Sequence, residues 1–235
     1  MRLFILSDDT SYHITKNSDC NTLTLHEWRI IRHAHVIRLR YGEDITIQIG
    51  NTRYLWVVDQ LDRATLTIAI HSSQLQPPSC ADKPITMAIA LPNTGNKLDM
   101  IVEKLTEVGV HHIIFFSAER SQIRTLEDKK LYRLHILAIE AAEQSHRWTI
   151  PTIQYIQHIH DVLSVDGSKV IFDKEATWTM PHEATIWLVW PEWWWSPSEL
   201  QQMEPIACVT LWEHILRMET AAIVGGWTLA QHSTT

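Results

Sequence analysis

The spacing of apolar residues changes character once along the chain, close to the paired prolines Pro77-Pro78, and this change limits the fold more than any other feature. Before it, apolar and polar residues alternate in short runs. Ile45-Thr46-Ile47-Gln48-Ile49 is the clearest of them, and period two turns one face of a strand toward a core. Leu3-Phe4-Ile5 and residues 54–61 and 65–70 are predicted as further strands, with turns at Tyr41-Gly42-Glu43-Asp44 and Gly50-Asn51. Helical spacing through Trp28, Ile31, His35 and Leu39 predicts one helix over 26–39. The segment 1–72 therefore reads as a compact β-barrel or sandwich. Residues 74–79 read as a linker, because paired prolines extend the backbone and forbid helix. From residue 84 strands alternate with amphipathic helices: strands over 85–91, 112–116, 169–172, 185–189 and 207–211, helices over 97–108, 127–145, 197–203 and 219–229. Such alternation predicts an α/β domain with a mainly parallel sheet over 80–235.

Charge and cysteine usage exclude several classes. A net charge of -7 argues against a general polyanion binder and leaves only local basic patches. The best of these is Arg29, Arg32, Arg38 and Arg40, set against the single acid Glu27. No apolar run approaches the roughly 18 residues that cross a bilayer, and the N-terminus loses its apolar character too early for a signal peptide, so a cytoplasmic protein is expected. Cys20, Cys80 and Cys208 are odd in number and far apart, which suggests neither a disulfide framework nor a thiolate zinc site. His111-His112, His33-x-His35 and His158-x-His160 lack a carboxylate or thiolate at ligand spacing, so no metal is expected.

Four segments carry a resemblance. They are Asn96-Lys97-Leu98-Asp99-Met100-Ile101-Val102-Glu103-Lys104-Leu105-Thr106-Glu107-Val108-Gly109-Val110, Ser117-Ala118-Glu119-Arg120-Ser121, Glu140-Ala141-Ala142-Glu143-Gln144-Ser145-His146-Arg147 and Leu211-Trp212-Glu213-His214-Ile215-Leu216-Arg217-Met218-Glu219-Thr220-Ala221. Together and in this order they resemble the RsmE family of 16S ribosomal RNA (uracil-N3)-methyltransferases. The resemblance implies an N-terminal PUA-like β-barrel and a C-terminal α/β-knot methyltransferase domain of the SPOUT class, whose trefoil knot is an exception to unknotted chains. It implies S-adenosylmethionine as cofactor, 16S rRNA in the small ribosomal subunit as partner, and a homodimer with the cofactor site near its two-fold axis. By the same resemblance the cofactor is held by Val189, Trp190, Pro191, Glu192, Trp193 and Trp194, and by Leu211, Trp212, Ile215, Leu216, Arg217 and Thr220.

Open α/β sheets offer a crevice beyond the carboxyl ends of their strands, where the loops after Val189 and Leu211 are expected to meet. Methylation at uracil N3 needs a base or a stabilised anion, which makes Glu219 and Arg217 the candidate catalytic pair. Helix capping and an ion pair are the competing explanation for both. Arg120, Glu143, Gln144 and Arg147 are candidates for RNA contact beside the basic patch, although Glu143 and Arg147 also stand at the spacing of a helical salt bridge.

The family's cofactor loop reads Gly-Pro-Glu-Gly-Gly, where this chain has Trp190-Pro191-Glu192-Trp193-Trp194, and Trp212 stands at the glycine of the C-terminal motif. Glycine suits a backbone that must approach a ligand closely or take φ > 0. Four substitutions in one direction, in a chain with 11 Trp and 7 Gly, point to one cause: UGA codons read as glycine by the source and written as tryptophan. Genuine tryptophans would instead indicate a non-catalytic RNA-binding descendant, or a carbohydrate-binding aromatic surface. The intact mass of protein purified from its source decides this. A mass lower than the written sequence by at least four Trp-to-Gly differences is expected, and the full written mass would refute it.

Overall fold

The computed structural model describes residues 2–6, 12–16, 21–75, 83–172, 176, 184–192, 194–204, 206–211 and 214–233. The chain divides into two compact units, Met1–Ser79 and Cys80–Thr235.

The first unit is built on β1 (Arg2–Leu6), β2 (Tyr12–Lys16), β3 (Asn21–Leu25), helix α1 (Trp28–Val36), β4 (Asp44–Ile49), β5 (Thr52–Leu61) and β6 (Leu66–Leu75). The strands form one sheet in the order β1-β4-β5-β6-β3-β2. β1 runs parallel to β4 and every other pair is antiparallel. Period-two alternation buries Ile45 and Ile47 beside Phe4, Leu23, Leu25, Val58, Leu66 and Ile68. α1 closes this core with Ile30 and Ala34, four residues apart on one face. Among the described residues the outer strands β1 and β2 do not pair, so the expected closed barrel is not found; the sheet is open and six-stranded. The sequence reading also lacked β2 and β3. β3 carries only Leu23 and Leu25 as its apolar signal, too short a run to stand out.

The second unit contains β7 (Thr86–Ala90), α2 (Gly95–Glu107), β8 (His112–Ser117), α3 (Asp128–Gln144), β9 (Thr152–His158), α4 (Ile159–Leu163), β10 (Lys169–Phe172), β11 (Ile186–Val189), α5 (Pro197–Met203), β12 (Ala207–Val209) and α6 (Met218–Ser233). Its sheet has the order β12-β10-β11-β7-β8-β9, and every pairing is parallel. Strands covered on both faces read as continuous apolar runs, and β7 and β11 are buried along their whole length. β9 and the short α4 were not expected. β9 is an edge strand whose polar residues face outward, which weakens its pattern.

α2 buries Leu98, Ile101, Val102 and Leu105, and α6 packs against it. Close approach of α6 depends on Gly225 and Gly226, since a Cβ at the first would collide with the Phe172 ring and at the second with Leu105. The connection from β7 leads toward β8, while that from β11 leads past β10 to β12. Neighbouring strands whose connections diverge leave a crevice beyond their carboxyl ends. Among the described residues no helix is long and apolar enough to cross a membrane.

Candidate active site

Three chain segments meet in that crevice: Asn93 to Lys97 after β7, Trp190 to Trp194 after β11, and Ile215 to Glu219 before and into α6. They line a cavity of about 720 Å³, within the range of small-molecule sites.

Lys97 joins all three. Its ammonium donates to a Glu192 carboxylate oxygen and lies 3.4 Å from Glu219 Oε2. The hydrogen bond to Glu192 is the main cause that raises the Lys97 pKa above its ordinary 10.5, with attraction from Glu219 adding to it. Two acidic and two basic side chains, Glu192 and Glu219 with Lys97 and Arg217, line the cavity and balance in charge. Arg217 is exposed and forms no ion pair among the described residues. Glu219 is buried in the first turn of α6, a favourable end for an anion. One oxygen of each carboxylate, Oε2 of Glu192 and Oε2 of Glu219, is buried; no hydrogen bond reaches the first, and the second has the Lys97 ammonium at 3.4 Å. A buried acceptor without a donor is costly, so Glu192 carries unmet hydrogen-bonding capacity beside the cavity.

Indole rings form one wall. Trp190 packs edge-on against Phe172 and lies 5.1 Å from Trp194, centroid to centroid. The backbone of Trp194 has φ 67°, in the left-handed region where a Cβ costs roughly 1–2 kcal/mol. Its amide donates to the Pro191 carbonyl at 2.9 Å, which closes a tight turn around Glu192. Trp195 is buried and stacks on Phe116. Trp190 and Trp195, with 9% and 2% of their surfaces exposed, belong to the core, so these rings do not form a flat exposed aromatic surface.

The loop is anchored by Glu199. Its carboxylate accepts from the Ser196 amide at 2.8 Å in a capping box at the start of α5, and from the Glu119 amide at 2.9 Å. The segment after β8 is thereby tied to the segment after β11. Ser198 also donates to the exposed Glu119, whose pKa is lowered by hydrogen bonds from Ser196 and Ser198.

Among the residues expected from the sequence, Trp190, Glu192, Trp194, Ile215, Leu216, Arg217 and Glu219 converge on the cavity. Val189 and Pro191 are buried beside it in sequence, Leu211 is half-buried against the core, and Thr220 is exposed on α6. Trp193 and Trp212 lie outside the described residues. Lys97 lies in the first of the four motifs, but its sequence context does not mark it as a site residue. A lysine in the first turn of a helix opposes the helix dipole, and α2 has no acid there to compensate; that misfit is the available signal.

The expected RNA contacts divide. Arg32, Arg38 and Arg40 are exposed on the first unit, but Arg29 is buried, donating to the Ile5 carbonyl at 2.8 Å and to Glu27 at 3.0 Å. It is a structural link between α1 and β1, not a surface cation. In the second unit Arg120 and Gln144 are exposed and Glu143 is buried in α3. Arg147 donates to the carbonyls of Thr106 and Gly109, which fastens the end of α2, and burial lowers its pKa to about 10. Among the described residues no three His, Cys, Asp or Glu side chains converge as a metal site.

A family model described as an RNA methyltransferase domain matches residues 79–227, a span that includes all three cavity segments. The chain belongs to the RNA methyltransferase domain family. Within this family, ribosomal RNA small subunit methyltransferase E of Rickettsia conorii is 24% identical over 209 residues, covering 81% of this chain and 83% of that protein. The Bacillus subtilis protein of the same name is 39% identical over 83 residues, a match spanning 34% of this chain and 32% of that protein's length. Among solved structures, a Neisseria gonorrhoeae ribosomal RNA small subunit methyltransferase E bound to S-adenosyl methionine superposes with a TM-score of 0.82. It is 26% identical and covers 98% of this chain and 97% of its own.

Removing the shared ammonium leaves two neighbouring carboxylates uncompensated. Lys97→Met is expected to lower unfolding free energy by about 1–2 kcal/mol near neutral pH, a partly exposed pair being worth less than a fully buried one. Because the folded-state lysine pKa is raised above 10.5, the contribution is complete below 10.5 and fades as pH rises through the folded value. Denaturant titrations of both proteins at neutral and alkaline pH check this; an equal deficit far above that value would refute the ion-pair origin.

Proposed function

We propose that the protein is an S-adenosylmethionine-dependent methyltransferase that modifies N3 of a uridine in 16S ribosomal RNA of the small subunit. The observation that carries this reading is the cavity at the carboxyl ends of β7 and β11, lined by the Lys97–Glu192–Glu219 ion cluster and by Arg217, which forms no ion pair among the described residues. The full-length likeness to a solved ribosomal RNA methyltransferase bound to S-adenosyl methionine supports it. The uridine N3 specificity follows from the RsmE resemblance, since a fold alone does not select a substrate.

The residues fit this cofactor in size and chemistry. The cavity can hold a nucleoside-sized ligand, and the Glu192 and Glu219 carboxylates in its lining are acceptors for hydroxyl or ammonium donors. When bound, S-adenosylmethionine supplies an electrophilic methyl group. Glu192 and the backbone beside it bind and orient it in this reading, and the Glu219 carboxylate takes the proton from uracil N3. Arg217 stabilises the resulting uracil anion, while Lys97 holds the Glu219 carboxylate in place. Glycines at 190 and 194 would bring the backbone closer to the nucleoside and remove the steric cost at φ 67°.

The first unit serves as a PUA-like module that positions RNA. Homodimerisation belongs to the same reading: α6 is apolar on most of its surface, and Trp227 on it is 54% exposed.

Methyl transfer to small ribosomal subunits lacking the modification is the test. Glu219→Gln is expected to lower the rate roughly 100-fold or more while remaining folded, because Lys97 keeps its bond to Glu192, with Arg217→Ala similarly impaired and as stable as the parent. Near-normal rates in both would remove the pair from the mechanism.

A further inference from the structure

The first unit carries a second cavity, of about 400 Å³, lined by His26, Trp28, Ile31, Arg32, His35, Arg63 and Ala64. It is formed entirely by α1, the residues just before it, and the turn between β5 and β6. Three features separate it from an ordinary surface hollow. Trp28 is 69% exposed at the start of α1, whereas Ile30 and Ile31 behind it are buried and Val36 at the far end of the helix is exposed as well. Arg32, one turn further along α1, has its guanidinium carbon 5.9 Å from the centroid of the Trp28 ring. Arg63 reaches the same cavity from the β5–β6 turn, is exposed, and forms no ion pair among the described residues.

Among the described residues neither arginine forms an ion pair with a nearby acid: Glu27 accepts from the buried Arg29, and the Asp62 carboxylate accepts from Gln60 at 2.8 Å and Thr65 at 3.4 Å. His35 is fixed by its Nε2 contact with the Asp62 carbonyl at 3.0 Å, which ties the turn to the helix and keeps the cavity open between them. The result is an exposed indole face, backed by one guanidinium and flanked by another. An unpaired base stacks on such a face, and its phosphates are neutralised by the arginines.

We infer that this cavity is a binding site for one unstacked nucleobase and its adjoining phosphate, within single-stranded RNA. The inference relies on the proposed RNA-modifying function only for the identity of the partner, and its geometry is independent of the methyltransferase cavity. Charge and ring together favour RNA over an acidic protein segment, since carboxylates would use the arginines and leave the indole without a partner. The site shares Arg32 with the basic patch read in the sequence, but it excludes the buried Arg29 and adds Trp28 and Arg63.

The test uses the full chain with single-stranded pentamers of uridylate and adenylate, a short RNA duplex, and a glutamate pentamer as the acidic-peptide control. Trp28→Ala is expected to weaken pentamer binding roughly tenfold, whereas Trp28→Phe keeps most of it because a stacking face remains. Arg63→Ala, on an exposed turn, is expected to weaken binding and to reduce its salt dependence. This second variant decides the matter if Trp28→Ala fails to fold. Unchanged pentamer affinity in Trp28→Ala and Arg63→Ala overturns the proposal, as does tighter binding of the glutamate pentamer than of RNA. S-adenosylmethionine binding and methyl transfer are measured on the same preparations. Loss of methyl transfer in the parent, with pentamer binding still dependent on Trp28, would remove the function proposed for the second unit and leave this site standing.

Discussion

A single ammonium group holds the second unit's crevice together. Lys97 leaves the first turn of α2 and meets Glu192 from the loop after β11 and Glu219 from the start of α6. These segments are far apart in sequence and, among the described residues, share no other charge partner. The parallel sheet brings their ends into one crevice, but a sheet alone does not fix side chains. Lys97 does so at the cost of a lysine set against its own helix dipole, which the two carboxylates offset. The same arrangement leaves Glu192 Oε2 buried and without a hydrogen bond, so the ion cluster organises the cavity without filling its hydrogen-bonding capacity.

The α/β unit was largely legible in the sequence because its strands are buried on both faces. Continuous apolar runs such as Ile186–Val189 mark central parallel strands, and helical spacing marked α2 and α3. Edge strands were not legible. β9 mixes polar and apolar residues because one side meets solvent, and β3 offers only two buried leucines. A barrel was expected both from the run of short strands, which left a sandwich open, and from family likeness; the described strands form an open sheet instead. At the candidate site, Arg217 and Glu219 were visible from their motif, whereas the role of Lys97 was not, since it depends on two acids about 95 and 122 positions further along the chain. Arg29 shows the opposite failure. A run of arginines reads as a surface patch, yet this one is turned inward to the Ile5 carbonyl.

The tryptophans bear on the cofactor more than on the fold. Trp190 and Trp195 are accommodated in the core through Phe172 and Phe116, so bulk at these positions is compatible with a packed domain. Trp194 is different, because its backbone holds a left-handed conformation that glycine adopts without cost. The turn thus retains a glycine's geometry under a tryptophan's side chain, and this is the conformational counterpart of the four like departures in the sequence.

Calorimetric titration of S-adenosylmethionine into the full chain, and into a version with glycine at 190, 193, 194 and 212, addresses the central claim directly. One saturable site per chain is predicted, tighter in the glycine version and weakened in either background by Lys97→Met. Absence of saturable binding in both versions, with the protein folded, would contradict the account.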